Sequence, residues 1–104
     1  MSEKTLSVSK RETNEIFIGN KPFMKYVIAC LMQIKNESND SIIIKARGKF
    51  ISKAVDVAEV VKKKLNEENF KFSQEIQINT DEFMSEESQR KINISTIDIK
   101  LLKI

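Results

Sequence analysis

Four basic side chains surround one glycine in the middle of the chain. Lys45, Arg47, Lys49 and Lys53 lie within nine residues, and Gly48 separates Arg47 from Lys49. The spacing predicts that Lys45 and Arg47 share one face of a strand, that Gly48 allows a turn, and that Lys53 lies near the start of a helix. Cations beside helical N–H groups suit oxyanions such as phosphate. The alternative is that they are solvated side chains at the edge of an ordinary surface.

A second basic motif follows a short apolar run near the start of the chain. Ile16-Phe17-Ile18 is typical of a buried strand, and Gly19-Asn20-Lys21-Pro22 then predicts a tight strand-to-helix turn. We expect Asn20 or Lys21 to be the N-cap, with Pro22 in the first helical turn. If the two strands are parallel neighbours, the two turns lie at the same sheet edge and form one basic patch.

The charge of the chain is concentrated in its middle. The whole chain carries 18 basic and 15 acidic residues, for a net charge of +3. Residues 16–65 hold ten bases and four acids, whereas residues 66–104 hold five bases and eight acids. The middle segment is therefore the candidate anion-binding region.

The residue types exclude several classes of site. The chain has no histidine and a single cysteine, Cys30, which rules out a His-based triad, a Cys–His pair, a His- or Cys-rich zinc site and an intrachain disulfide. Cys30 is interpreted as a buried apolar residue, and a lone thiol is compatible with a reducing cytoplasm. Asp56 and Glu59 are interpreted as an exposed helix face rather than a catalytic pair. We expect neither an enzyme nor a metal, cofactor or small-molecule substrate.

The hydropathy pattern indicates where the protein is located and which residues form the domain. No run resembles a signal peptide or approaches the roughly 20 apolar residues of a membrane span. We expect a cytoplasmic protein with no membrane partner. Residues 1–14 are polar without periodicity and are predicted to be a flexible tail, and residues 15–104 to be a single domain.

The apolar pattern alternates between strand and helix periods. Helical spacing begins at Pro22 and again at Ile51, and Ile42-Ile43-Ile44 predicts a strand between the two helices. The positions with helical spacing are Phe23, Val27, Cys30, Leu31 and Ile34, then Ile51, Ala54, Val55, Ala58, Val61 and Leu65.

Two long strands close the chain. Apolar residues at even positions from Phe70 to Thr80 predict the first. The second begins with Ile92 and Ile94 and then switches parity at Ile97, which requires a bulge or a change of covered face. Residues 81–91 are predicted to extend the two strands as a ribbon with a mobile tip.

The predicted order is βαβαββ. It forms an α/β two-layer sandwich in which a mixed four-stranded sheet carries both helices on one face. The apolar faces of the last two strands and of the second helix are generous for this length, which agrees with a two-fold interface between copies of the chain.

Three segments together resemble one known family. They are IGNKPFMKYV (residues 18–27), IKARGKFISKAVD (residues 44–56) and ISTIDI (residues 94–99). In this order they are similar to the Alba family of archaeal chromatin proteins over residues 15–104. The resemblance implies a homodimer on the chromosome, with a fold related to the C-terminal domain of a bacterial translation initiation factor. It also implies binding of double-stranded DNA largely without sequence preference, and of RNA in many members.

The resemblance also implies which residues meet nucleic acid. Lys21, Arg47 and Lys49 match the family's central DNA-facing surface, and residues 81–91 match arms that reach toward the minor groove. Neighbouring positions that the resemblance adds are Asn20, Lys45, Gly48, Lys53, Arg90 and Lys91.

The chain departs from the family pattern at three places. Asn20 stands where members often carry the first of two lysines, a target of acetylation. The arm is acidic, which predicts a weaker grip on phosphates or a different partner. Leu65 stands where some relatives carry a phenylalanine that packs between neighbouring dimers on DNA, so we expect it to provide a smaller apolar contact there.

At the arm tip, Phe83 and Met84 offer two interpretations. Apolar side chains can wedge between base steps of the minor groove, or they can pack on the arm or a neighbouring dimer.

Two hypotheses about function remain open at the level of sequence. One is a dimeric architectural protein that neutralises phosphates of double-stranded DNA. The other is a protein that binds structured RNA, acts within a ribonucleoprotein, or binds a restricted set of DNA sequences. The same basic surface serves all of them, because contacts to the backbone discriminate poorly between duplex types.

Overall fold

The computed structural model describes residues 13–104, which form one sheet and two helices. The elements are β1 (Thr13–Phe17), α1 (Phe23–Lys35), β2 (Ser41–Arg47), α2 (Ile51–Glu67), β3 (Phe72–Met84) and β4 (Lys91–Lys103), with a 3₁₀ turn at Gly48–Phe50. This is the predicted βαβαββ order. β1 begins at Thr13, so the last two residues of the tail predicted for residues 1–14 belong to a strand, and residues 1–12 lie outside the described residues.

The strands form a mixed sheet in the order β1-β2-β4-β3. β1 and β2 run parallel, and the other two pairs are antiparallel. The β1–β2 pairing extends past β1, since Ile18 N donates to Lys45 O at 2.9 Å. Parallel pairing brings the ends of β1 and β2, and hence the turns that follow them, to the same sheet edge.

Both helices cover one face of the sheet, and the core lies between the two layers. Every third or fourth residue of each helix packs against aliphatic residues of β2 and β4. Fully buried members of the core include Val27, Cys30, Ile34, Ile42, Ile44, Val57, Val61, Leu65 and Leu101. The prediction of a buried Cys30 is confirmed, and burial raises the pKa of its thiol to about 12, which suppresses its reactivity.

The structure corrects the prediction for Leu65. Its side chain is 0% exposed and belongs to the core, so it has no surface to offer to a neighbouring dimer. Leu65 lies on the same helical stripe as Val61 and Ala58, which turns it toward the sheet.

The parity switch in β4 is a change of covered face. The β3–β4 register is uniform from Phe72 opposite Lys103 to Met84 opposite Lys91, and it contains no bulge. Ile97 therefore points to the helices, whereas Ile92 and Ile94 point to the uncovered side of the sheet. Of the two predicted explanations, the second is correct.

The last two strands form the predicted ribbon. β2 pairs with β4 only as far as Thr96, so residues 80–84 and 91–95 continue beyond the sheet as a two-stranded arm. Ser85 N donates to Arg90 O at 2.8 Å and closes the tip, where Gln89 adopts a φ of 57°. The strands thus extend further into the predicted loop than the apolar alternation indicated.

The edge strand β3 projects beyond the cover of the helices. Ile76 and Ile78 lie on the helix side of the sheet but remain 56% and 73% exposed. Lys62 Nζ of α2 donates to Gln74 Oε1 at 2.7 Å, which links α2 to β3. Val55 lies two turns earlier on the same side of α2 and is 40% exposed. We call the exposed apolar side chains of Val55, Ile76 and Ile78 the edge patch.

The position of Leu65 predicts a large loss of stability on truncation. Leu65→Ala should lower the free energy of unfolding by about 2–5 kcal/mol, because it leaves a cavity in the core. Urea unfolding followed by circular dichroism measures the change. Met32→Ala is the control, since Met32 is 67% exposed and should change the free energy by less than about 0.5 kcal/mol. A near-neutral Leu65→Ala would contradict the core assignment.

Candidate nucleic-acid interface

The two turns predicted to be neighbours lie side by side. The first, residues 19–22, follows β1, and the second, Gly48–Phe50, follows β2. The ammonium group of Lys53, on the first turn of α2, donates hydrogen bonds to Gly19 O and Lys21 O, both at 2.7 Å. This side chain crosses from the second turn to the first and joins them into one surface.

Tyr26 holds the first turn from the opposite side. Its hydroxyl oxygen accepts hydrogen bonds from the backbone N–H of Gly19 at 2.9 Å and of Lys21 at 3.0 Å. Lys53 Nζ also lies 5.1 Å from the centroid of the Tyr26 ring, which is a cation–π contact. We call the contacts of Lys53 and Tyr26 with the first turn the clamp. With both backbone edges of the turn occupied, Asn20 and Lys21 remain exposed.

This clamp also corrects the predicted N-cap of α1. The cap residue is Pro22 rather than Asn20 or Lys21, and no side chain caps the helix. The N–H groups of Gly19 and Lys21 are bonded to Tyr26, which keeps the turn outside the helix. The apolar pattern placed Tyr26 in a helix but did not predict that its hydroxyl accepts hydrogen bonds from the first turn.

The four clustered cations divide into two groups. Lys53 commits two donors to backbone oxygens, and partly buried Lys45 lies 3.5 Å from Asp98 and 3.8 Å from Glu15. Arg47 and Lys49 are exposed at the end of β2. The cations that remain available to a large anion are therefore Arg47 and Lys49, together with Lys21 of the first turn. We call these three residues the basic surface.

Two contacts shape the side chains of the second turn. Arg47 Nη1 lies 3.4 Å from Asp81 Oδ2, an exposed ion pair that links the turn to the arm. Lys49 Nζ lies 5.4 Å from the centroid of the Phe50 ring. Both interactions are solvent-exposed and individually weak, so an incoming phosphate can compete for either cation.

Gly48 has a conformational role in the second turn. Its φ of +55° lies in the left-handed region, which side chains with a Cβ rarely adopt. This backbone reversal lets β2 end and α2 begin within three residues. It leaves Arg47 and Lys49 exposed on either side of Gly48. Gly48 acts on the shape of the turn.

The basic residues of the arm lie apart from the basic surface. Arg90 and Lys91 are exposed at the tip, about five strand residues or roughly 17 Å beyond the level of Arg47. Lys91 Nζ lies 3.9 Å from Glu82 Oε1. Phe83 and Met84, also at the tip, are 44% and 59% exposed.

The acidic pair on α2 forms part of an exposed helix face. Glu59 Oε2 accepts a hydrogen bond from Lys62 Nζ at 2.9 Å, as the non-catalytic interpretation predicts. Within residues 13–104 no group of three or more His, Cys, Asp or Glu residues is placed to hold a metal ion. The helices of this part of the chain are too short or too polar to cross a membrane.

Comparison with known proteins supplies the family. The model of the Alba family matches residues 14–81, a segment that includes both turns, both helices and most of β3. This chain belongs to the Alba family. The resemblance inferred from residues 18–27, 44–56 and 94–99 is thereby confirmed.

Individual archaeal relatives cover nearly the whole chain. The "DNA/RNA-binding protein Alba" of Picrophilus torridus is 44% identical over 92 residues, which span 88% of this chain and 98% of the relative. The protein of the same name from Methanocella arvoryzae is 48% identical over 91 residues, which span 86% and 90%. Both names describe those relatives as proteins that bind DNA and RNA.

Solved structures agree with the fold. Alba from Thermoplasma volcanium superposes with a TM-score of 0.71 at 44% identity, covering 86% of this chain and all of the other. ALBA1 from Trypanosoma brucei superposes with a TM-score of 0.58 at 20% identity, covering 86% of this chain and 68% of the other, and this match supports the fold alone.

The hydroxyl of Tyr26 is predicted to stabilise the first turn. Tyr26→Phe should lower the free energy of unfolding by about 1–3 kcal/mol, because it leaves two backbone N–H groups without an acceptor. It keeps the ring beside Lys53 and so isolates the hydroxyl. Hydrogen exchange measured by NMR should accelerate at the Gly19 and Lys21 amides and remain unchanged in β3. Unchanged exchange at both turn amides would show that Tyr26 does not hold the turn.

Proposed function

We propose that this chain is a dimeric architectural protein that binds double-stranded DNA through its backbone phosphates. The observation that carries the proposal is the junction of the two turns, because it gathers Lys21, Arg47 and Lys49 from two separate segments. These cations come from different turns but lie at the same end of β1 and β2, as a surface that contacts successive phosphates of one backbone requires. The printed names of the archaeal relatives, DNA/RNA-binding proteins, support the same ligand class.

The clamp beneath the basic surface supports this role. Lys53 and Tyr26 fix the backbone of the first turn, so Lys21 is presented from a preorganised loop. Preorganisation reduces the entropy lost on binding. Asn20 and Gly48 contribute through the shape of the turns, and Lys45 contributes positive potential while it stays with Asp98 and Glu15.

The second half of the proposal is the dimer, formed through the edge patch. Val55, Ile76 and Ile78 are exposed aliphatic residues on an unpaired sheet edge and the adjoining helix. Burying them against a two-fold mate removes apolar surface from water and doubles the number of cations on one particle. The arms then flank the paired basic surfaces, with Arg90 and Lys91 directed toward a minor groove.

RNA is the alternative ligand, and the arm is the observation that favours it. Asp81, Glu82, Glu86 and Glu87 make the arm acidic, which weakens its approach to the closely spaced phosphates of a DNA duplex. A structured RNA or a restricted set of DNA sequences could avoid the arm and still engage the basic surface. In either case the protein would be associated with nucleic acid, and in the favoured case with the chromosome.

Salt dependence tests the basic surface. With on the order of six to eight phosphate contacts per dimer, log affinity should fall against log salt with a slope of about −5 to −7. Arg47→Ala/Lys49→Ala removes four contacts per dimer and should reduce the magnitude of the slope by about 3–4. Fluorescence anisotropy with a duplex DNA and a structured RNA of matched length measures both ligands.

The control for this experiment is Lys63→Ala. Lys63 is exposed on the last turns of α2, roughly 18 Å along the helix from the second turn, and its removal should leave the slope unchanged. Equal slopes for the double variant and the wild type would refute the basic surface as the phosphate-binding site. Affinity confined to one RNA or one DNA sequence would replace the architectural role with the alternative.

A dimer formed through the edge patch predicts the effect of a charge at Ile78. Ile78→Lys should convert the dimer to a monomer in sedimentation velocity and weaken duplex binding, because a buried unpaired ammonium is costly at an apolar interface. Ile28→Lys is the control, since Ile28 is half-exposed on α1 and is not part of the edge patch. A dimer that survives Ile78→Lys would place the interface elsewhere.

A further inference from the structure

The uncovered face of the sheet carries an aromatic side chain that neither the core nor the basic surface uses. Phe17 lies opposite Lys45 in the β1–β2 register, and its side chain is 65% exposed. Its neighbours Ile16 and Ile18 point to the helices, so Phe17 points away from them. Single exposed apolar residues are common on protein surfaces. Phe17, however, stands at the rim of a groove with polar walls.

The groove lies between the end of β2 and the base of the arm. It has a volume of about 460 Å³, and Phe17, Arg47, Asn79 and Thr96 line it. Thr96 lies opposite Arg47 in one strand pair and opposite Asn79 in the next, so these three residues form a row across the sheet. The amide of Asn79 and the hydroxyl of Thr96 can each donate and accept hydrogen bonds.

The charges of the groove restrict what can enter it. Asp81 and Asp98 also line it, and within it Lys45 is already occupied by Asp98 and by Glu15 nearby. A phosphate inside the groove would meet both carboxylates. A neutral, planar group with N–H donors would instead find acceptors in the walls and an aromatic face in Phe17. Its attached phosphate would meet Arg47, which is 62% exposed in its side chain.

We infer that this groove binds an unpaired nucleobase of a single-stranded nucleic acid, with Phe17 as the stacking platform and Arg47 on the adjoining phosphate. The inference rests on the proposed function and extends it from duplex phosphates to exposed bases. Bases within a duplex are stacked on one another and offer no free face, so the groove discriminates single strands from duplexes. Stacking on an aromatic ring tolerates any base, since each has a π-face.

Binding of short oligonucleotides tests the inference. Full-length wild type, Phe17→Ala and Phe17→Tyr are titrated against a 12-nucleotide single-stranded RNA, a single-stranded DNA of the same sequence, and a 20-base-pair duplex DNA. Phe17→Ala should weaken single-strand binding about 5- to 150-fold, the range expected for loss of one stacked base. Phe17→Tyr should restore it, and duplex affinity should stay within about twofold of wild type in both variants. Comparison of the RNA and DNA strands shows which source of unpaired base is preferred.

Controls separate this inference from the proposed function. Met32→Ala removes an apolar side chain of similar exposure on α1 and should change no affinity. Thermal unfolding and sedimentation of Phe17→Ala verify the fold and the dimer. Unchanged single-strand affinity in Phe17→Ala, an equal loss for single strand and duplex, or dissociation of the dimer would each overturn the inference. Failure of the proposed function gives a different result: wild-type protein would not bind the duplex, or its binding would be insensitive to Arg47→Ala/Lys49→Ala.

Discussion

The bonds from the ammonium group of Lys53 to the carbonyl oxygens of Gly19 and Lys21 are the interaction on which the geometry of the basic surface depends. They connect the start of α2 to the turn after β1, two segments separated by more than 30 residues. Parallel pairing of β1 and β2 brings the segments to one edge, and Lys53 fixes the distance between them. The hydroxyl of Tyr26 supports the same turn from the N–H side, so both edges of this short backbone are satisfied.

This arrangement divides the basic residues by role. Lys53 and Lys45 are bound to groups of the protein itself, whereas Lys21, Arg47 and Lys49 present their charges to solvent. A count of cations along the chain therefore overstates the charge available to a ligand. The acidic residues act in the same direction, since Asp81 pairs with Arg47 and Asp98 with Lys45. The positive charge that this member of the Alba family offers to an anion is thus set by internal competition as well as by the number of lysines.

Much of the architecture was predictable because local periodicity carries it. Helical spacing identified α1 and α2, and alternation identified β3 and most of β4, since each element buries one regular stripe. The adjacency of the two turns was also predictable from parallel strands. The burial of Leu65 was not, because its helical spacing fits a core position and a contact between dimers equally well. The clamp was not predictable either: nothing in the types of Tyr26 and Lys53 states which backbone atoms they reach, and that depends on the three-dimensional approach of α2 to the first turn.

In the proposed function, two turns from separate segments form one phosphate-binding surface. The most direct measurement is a titration of ¹⁵N-labelled protein with duplex DNA, following every backbone amide by NMR. The largest chemical-shift changes should occur together at residues 19–21 and 47–50, at the same DNA concentration, with smaller changes along the arm. Changes confined to the arm tip, or to the exposed face of α1 that carries Met24, Ile28 and Met32, would contradict a binding surface built from both turns.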